Sequence, residues 1–280
     1  MSASTLLHAW EGRPVDEWRA RWGLPALAIF RETASTNDVA RAMAEAAAAA
    51  GLLVMSEHQS AGRGRMRRPW TDVPGRSLLL SFLLRPRAGS ADVAPGAAPI
   101  RVGLAVAGAL RTATGIDARL KWPNDVVVTD AGKLAGILCE AASVGGETVV
   151  IAGIGINVLH QPDDWPDELR GHAVSVAQLA DGAAADRARI MDALIPALRP
   201  LFTRPLEPLG DDELRAYHAL DALRGRVATI SGATQVQGTA AGIAADGALL
   251  LDVDGHVRRI TAGSVRVTAS HTLPSARAQR

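Results

Sequence analysis

Two apolar runs, Leu52 to Ser56 and Ser77 to Leu84, bracket the segment Gly62-Arg63-Gly64-Arg65-Met66-Arg67-Arg68-Pro69-Trp70. Each run reads as a buried strand, the second covered on both faces. The segment between them builds no core, so it must be a loop whose two ends are anchored in a sheet. Its glycines let the backbone close on a ligand, its guanidiniums offer forked donors to carboxylate or phosphate, and its indole offers a flat face for a base. These features point to a loop that folds over an anionic, nucleotide-bearing molecule. A solvated basic turn is the alternative that the segment alone leaves open.

A chain of 280 residues can bury a sizeable core, and one large domain with a smaller one is expected. Lys and Arg total 30 against 29 Asp and Glu, so no global positive field exists for non-specific nucleic-acid binding. The single cysteine, Cys139, excludes an internal disulfide framework and a Cys-based zinc knuckle. In its apolar strand it reads as a core residue, a nucleophilic role being the alternative. The N-terminus lacks the features of a signal peptide, and no apolar stretch approaches the ~20 residues of a membrane span. A cytoplasmic protein is expected.

The pattern predicts a short helix at Asp16 to Trp22, a strand at Leu27 to Phe30, a helix-start cluster at Thr33 to Asp38, and an alanine-rich helix from Val39 to Ala50. Beyond a surface connection at Gly89 to Pro99 comes a helix over Ile100 to Thr114. Strands follow at Val126 to Thr129, Leu134 to Glu140 and Thr148 to Ala152, joined by short turns that favour antiparallel hairpins. Helices at Arg187 to Phe202 and Asp211 to Ala219 close the layer. The fold class is α+β: a mixed, mainly antiparallel sheet with packed helices. Short strands at Arg226 to Ile230, Val236 to Ile243, Ala248 to Val253 and Val257 to Thr261 then form a small β unit. The expected organisation is an N-terminal extension (1–24), a large domain (25–220), the β unit (221–269) and a disordered tail (270–280).

Polar clusters interrupt the apolar background at Ser35-Thr36-Asn37, Gln59 to Trp70, Lys121 to Asp125, Gly132 to Gly136 and Gly153 to Asn157. The dinucleotide fingerprint fails because Val158 stands where its third glycine belongs, and the P-loop fails at Val127 and Leu134. The seven histidines show no metal-binding spacing, and no G-x-S-x-G elbow is present. What remains is a cationic, glycine-lined site without an evident nucleophile. It suits a substrate that brings its own, such as a carboxylate attacking the α-phosphate of ATP while Arg63, Arg65, Lys133 and Mg²⁺ screen the charge.

Together these segments resemble the biotin protein ligases. The matching residues are STN (Ser35 to Asn37), QSAGRGR (Gln59 to Arg65) with Trp70, KWPNDV (Lys121 to Val126), GKLAGIL (Gly132 to Leu138) and GIGINV (Gly153 to Val158). The resemblance covers about Leu27 to Thr268. It implies the class II synthetase-like biotin/lipoate ligase fold with a C-terminal β-barrel, and a reaction in two steps. Biotin and ATP give biotinyl-5′-AMP, and a lysine of a biotin carboxyl carrier protein of acetyl-CoA carboxylase, or of a related carboxylase, then takes the biotin.

The resemblance further implies that Ser35, Thr36, Asn37, Gln59, Gly62, Arg63, Gly64, Arg65, Lys133, Gly136 and Gly153 bind biotin. Arg65, Trp70, Asn124, Asn157 and Arg266 would meet the nucleotide. Lys133, Arg63 and Asp125 would act in catalysis, with Asn124 and Asp125 as Mg²⁺ candidates. Other readings stay open: Ser35 to Asn37 as a helix cap, Trp122 as core, Asp125 as a turn residue. The residues before the first core strand are too few for a DNA-binding helix-turn-helix, so a ligase without specific DNA binding is expected, as a monomer or weak homodimer. Lipoate ligation is the rival activity within the same fold. Residues 62–68 and 163–171 are expected to order around the adenylate. The reading requires Lys133 and the arginine loop to share one cavity.

Overall fold

The computed structural model describes residues 5–46, 51–84, 94, 96–144, 147–180, 184–203, 207–232 and 235–267. The expected tail at 270–280, the end of the alanine-rich helix, the turn at 145–146 and most of the 89–99 connection lie outside the described residues. A minimal hairpin, β1 (Ala9–Trp10) and β2 (Arg13–Pro14), leads into α1 (Val15–Arg21). The large domain continues with β3 (Ala26–Phe30), α2 (Thr36–Glu45), β4 (Leu52–Ser56), β5 (Ser77–Leu84), α3 (Ala97–Thr114), β6 (Arg119–Lys121), β7 (Asp125–Val128), β8 (Gly132–Val144) and β9 (Glu147–Asn157). Helices α4 (Val176–Leu179), α5 (Arg187–Leu198) and α6 (Asp211–Leu220) follow, then β10 (Val227–Ser231), β11 (Gln235–Ile243), β12 (Leu249–Val253), β13 (His256–Ile260) and β14 (Ser264–Val267).

The large sheet runs β3-β4-β5-β9-β8-β7-β6. Its β3–β4 pair is parallel and is bridged by α2, whereas every other pair is antiparallel. Alternation along β4 shows why its sequence is apolar throughout. Leu52 and Val54 pack with Ala40 and Ala44 of α2, while Leu53 and Met55 face the core formed with Val102, Val106 and Leu110 of α3 and Ile190 and Leu194 of α5. A strand buried on both faces has no polar positions to spare.

Residues 5–24 of the N-terminal extension pack against the large domain. Trp10, Trp18 and Trp22 are buried with ring centroids 4.9–5.9 Å apart. Arg187 ties Glu11 to Glu57, and the backbone of residues 5–7 pairs along β3. Elsewhere β8 and β9 run longer than the pattern suggested, and α2 begins at Thr36. Helix α5 stops at Leu198, two residues after Pro196, and a 3₁₀ turn over Arg199–Leu201 completes the segment expected to be one helix to Phe202.

The C-terminal strands form an antiparallel sheet in the order β13-β12-β11-β10-β14. Ala228, Ile230, Ala240, Leu249, Leu251 and Val265 join the same core cluster as the large domain. Trp122 Nε1 donates to Gly247 O at 2.8 Å, and Leu209 N donates to Ala245 O at 2.7 Å. The small unit is therefore welded to the large one. No helix among the described residues is long and apolar enough to cross a membrane.

Candidate active site

A cleft of about 340 Å³ opens where the arginine loop passes over β8 and β9. Its floor is made by missing side chains. Gly136 of β8 faces Gly155 of β9 in the ladder, and an added Cβ would meet the Trp70 indole at 2.8 Å from the first and 2.5 Å from the second. Neither glycine is at positive φ, so space rather than backbone conformation requires them. Gly153, opposite Ser81 and Leu138, gives the same room to Asn37, whose Oδ1 lies 2.4 Å from where its Cβ would be.

Ser35, Thr36 and Asn37 line one side and are all buried. Ser35 occupies the N-cap of α2 but its side chain makes no cap bond, so capping does not explain this serine. Gln59 Oε1 accepts from Thr36 N at 2.8 Å and Thr36 Oγ1 at 3.1 Å. Asn37 Nδ2 donates to Glu140 Oε2 at 2.8 Å, and Ser81 Oγ lies 2.6 Å from Asn37 Oδ1 and 2.7 Å from Thr36 Oγ1. Polar atoms held this way are pre-positioned for a polar ligand.

The loop closes on itself: Trp70 N donates to Gly62 O at 2.9 Å and Gly64 N to Arg68 O at 2.7 Å, with Met66 and Arg67 at positive φ. Its arginines are not equivalent. The Arg63 fork binds both oxygens of Asp38 at 2.6 and 2.7 Å, and that contact holds the Asp38 carboxyl below the usual carboxylate range. The Arg65 guanidinium lines the cleft without a hydrogen bond or ion pair among the described residues. Burial pushes its guanidinium below the ordinary value, with Asp125 opposing the shift. An arginine so placed remains charged. Arg68 reaches the C-terminal sheet, donating to Ser264 Oγ at 3.1 Å.

Lys133 and this loop meet in the same cleft. Lys133 Nζ sits 2.6 Å from Asp125 Oδ1 and 5.4 Å from the Trp70 ring centroid. Its backbone is fixed by His172 O, Val174 N and the Asn157 side chain. A β-bulge between Val126 and Val127 lies beside Asp125, a device that re-aims neighbouring side chains. Among the described residues the Asp125 side chain makes no hydrogen bond to its own turn, and its partner is Lys133. Asn157 spends both Nδ2 hydrogens, on Lys133 O and Val174 O, which leaves its amide oxygen for a ligand, whereas Asn124 spends one on Ile137 O and keeps an N–H as well as its oxygen. Trp122 is core and also borders the cleft. Arg266 does not line it: the side chain is exposed on β14, and Gly263, Ser264 and Val265 provide that part of the wall instead. Cys139 does not line the cleft, and desolvation pushes its thiol up to about 12.

Residues 29–157 match the biotin/lipoate A/B protein ligase family, and residues 226–267 match the biotin protein ligase C-terminal domain. The biotin--[acetyl-CoA-carboxylase] ligase of Mycobacterium tuberculosis is 34% identical over 252 residues, 87% of this chain and 89% of that protein. The chain belongs to the biotin protein ligase family. The bifunctional ligase/repressor BirA of Bacillus subtilis is 34% identical over 242 residues, 83% of this ligase and 71% of that protein. Among solved structures, the Aquifex aeolicus biotin protein ligase in complex with biotin and ATP shares the fold, with a TM-score of 0.69 and 23% identity over 88% of the ligase and 100% of that chain.

Residues that sequence reasoning missed complete the ligase's cleft from behind. Ser81, Asp38 and Glu140 orient Thr36, Asn37 and Arg63 without belonging to a motif. Ser81 gave the only available signal, as a hydroxyl inside a strand otherwise apolar from Leu78 to Leu84. Trp165 and Leu169 form a further wall, with His160 stacked under Trp165 at 4.3 Å.

Proposed function

We propose that this cleft joins biotin to ATP and then passes biotin to a lysine of a biotin carboxyl carrier protein. The observation that carries the reading is the meeting of Lys133, Arg65 and the Ser35–Asn37 wall on one cavity of about 340 Å³, a size within the usual range for small-ligand sites. Asn37, Thr36 and Ser35 offer the polar edge for biotin's ring and Gln59 supports them. Gly136 and Gly153 seat Trp70 and Asn37 against the sheet so that both face the ligand, and Gly64 lets the ligand approach the loop, whereas Gly62, expected to bind biotin, packs on Trp70 O and does not line the cleft. Trp70 supplies a flat face for adenine, and the amide oxygen of Asn157 an acceptor for it.

In the first step the biotin carboxylate, ionised at neutral pH, attacks the α-phosphorus and the bond to pyrophosphate breaks. Lys133 and Arg65 offset the repulsion between the two anions, and Arg63 keeps the loop over them. These cations act most strongly where the loop excludes water. In the second step the carrier amine attacks the acyl carbon of the mixed anhydride and AMP leaves. When Lys133 turns from Asp125 toward the adenylate, the freed Asp125 carboxylate can accept a hydrogen bond from the incoming amine.

Among the described residues no cluster of three or more His, Cys, Asp or Glu could hold a metal. Mg²⁺ commonly binds through one or two carboxylates plus substrate phosphates. Asp125, with the Asn124 amide oxygen, fits that mode and would hold a cation that neutralises triphosphate charge. A cytoplasmic location and a monomer or weak dimer are compatible with this role. The test is to incubate the protein with Mg-ATP, an acceptor carrier domain, and biotin or lipoate, then weigh the acceptor. A mass gain with biotin alone supports the proposal. A gain with lipoate alone, or none, would overturn it.

A further inference from the structure

The Arg63–Asp38 pair poses a problem of magnitude. The two side chains are 34% and 43% exposed, and ion pairs that open to water contribute little to folding. Yet the contact is bidentate and short, the geometry that fixes direction most firmly. Asp38 does not line the cleft, and it lies on α2 immediately after Asn37. Glu140 stands behind the pair, 3.9 Å from Arg63, but it also accepts from Asn37 at 2.8 Å and Arg41 at 3.4 Å, so Asp38 is the principal partner. The loop is also held to the body by Ser264, which meets Arg68 and Met66, and by the Trp70 indole, which packs on the sheet and faces Lys133.

We propose that Asp38 is a positioning residue for the arginine loop: it anchors Arg63 to the helix that bears the biotin wall, so that residues 64–68 close over the adenylate from a fixed base. The inference rests on the function proposed above. Asp38 uses part of the guanidinium's five N–H donors and leaves the rest for an anion in the cleft. It thereby separates two tasks: Arg63 fixes the base of the loop, and Arg65, which lines the cleft with no side-chain partner among the described residues, meets the charge of the intermediate. The anchor also links occupancy to closure, because one turn of α2 carries both Asn37 and Asp38.

The test compares the native protein with Asp38→Asn, which keeps volume and removes charge, and Asp38→Glu, which restores the charge. In the free protein, hydrogen exchange of amides 62–70 should quicken about tenfold in Asp38→Asn, corresponding to about 1.4 kcal/mol, with the rest of the protein unchanged. On enzyme preloaded with biotinyl-adenylate, release should quicken by a similar factor while the KM for biotin moves less than about twofold. Asp38→Glu should recover part of both effects. Unchanged exchange in Asp38→Asn overturns the proposal, as does a release rate that rises only in step with the biotin KM. The exchange experiment needs no turnover, so a native protein that makes no adenylate would sink the ligase reading and leave this test intact.

Discussion

The floor of the cleft is two strands in regular register, with Gly136 facing Gly155. The wall above it is residues 62–70, irregular, with Met66 and Arg67 in the left-handed region and a turn closed by Gly64 and Arg68. Both are rich in glycine, for different reasons. On the floor each absent Cβ is a seat already taken by Trp70 or Asn37, and ladder hydrogen bonds prevent the backbone from yielding. In the loop Gly62 is crowded, its added Cβ meeting Trp70 O at 2.8 Å, whereas Gly64 has its nearest neighbour at 3.5 Å and φ of −104°. Gly64 therefore has no structural need to be glycine in the free protein. Packing accounts for the glycines of the floor and for Gly62 of the loop, but not for Gly64.

The comparison breaks most visibly at the cation between the two walls. Lys133→Ala should lower the rate of biotin-dependent ATP–pyrophosphate exchange roughly 10²–10³-fold, the usual cost of removing one pre-placed charge donor, and leave the melting temperature nearly unchanged. A tenfold or smaller loss would mean that the arginines carry the charge without it.

The next effect separates both walls from the third one beneath Trp165. His160 is fully buried with neither ring nitrogen partnered among the described residues, and burial pushes it down to about 4 from 6.5. The folded state then binds fewer protons than the unfolded state between those values, so stability falls as pH drops from 6.5 towards 4, by up to about 3 kcal/mol. Urea melts at successive pH values should show this slope, and His160→Phe, which retains a ring against Trp165, should flatten it. An identical slope in the variant would remove His160 as the cause.

Gly153→Ala tests the floor itself. Its Cβ would strike Asn37, which Ser81 and Glu140 hold in place, so stability should fall by about 1–3 kcal/mol and the biotin KM should rise. Gly155→Ala meets only the indole, a side chain that can shift, and should cost less. Last, Gly64→Ala should leave the melting temperature within about 0.5 kcal/mol of native stability while weakening retention of the adenylate. A loss of stability equal to that of Gly153→Ala would erase the distinction between floor and loop.

Much of this was legible beforehand where local chemistry and tertiary context agree. Leu52–Ser56 and Ser77–Leu84 are strands with the bounds expected of them, because burial on both faces writes itself as an unbroken apolar run. Strands β6 and β14, with three and four residues, were not visible. They carry no periodicity of their own and exist because β7 and β10 offer them a ladder. The N-terminal tryptophans read as an extension because nothing local reveals that Trp10, Trp18 and Trp22 stack on one another. At the site, Lys133 stood out as a charge between a turn glycine and an apolar strand, but Asp38 read only as the last residue of a helix-start cluster.

The sequence alone determined which segments could be buried, where the chain had to turn, and that a cationic, glycine-lined loop hung between two core strands. These properties depend on neighbours within a few residues, through burial periodicity and backbone freedom. Only the tertiary structure decided that Asp38 takes Arg63, that Asp125 takes Lys133, that Trp70 rests on the bare strip between Gly136 and Gly155, and that Arg266 faces solvent. Those pairings join residues far apart in the chain, and their energies depend on distance and direction in space, which no linear spacing encodes.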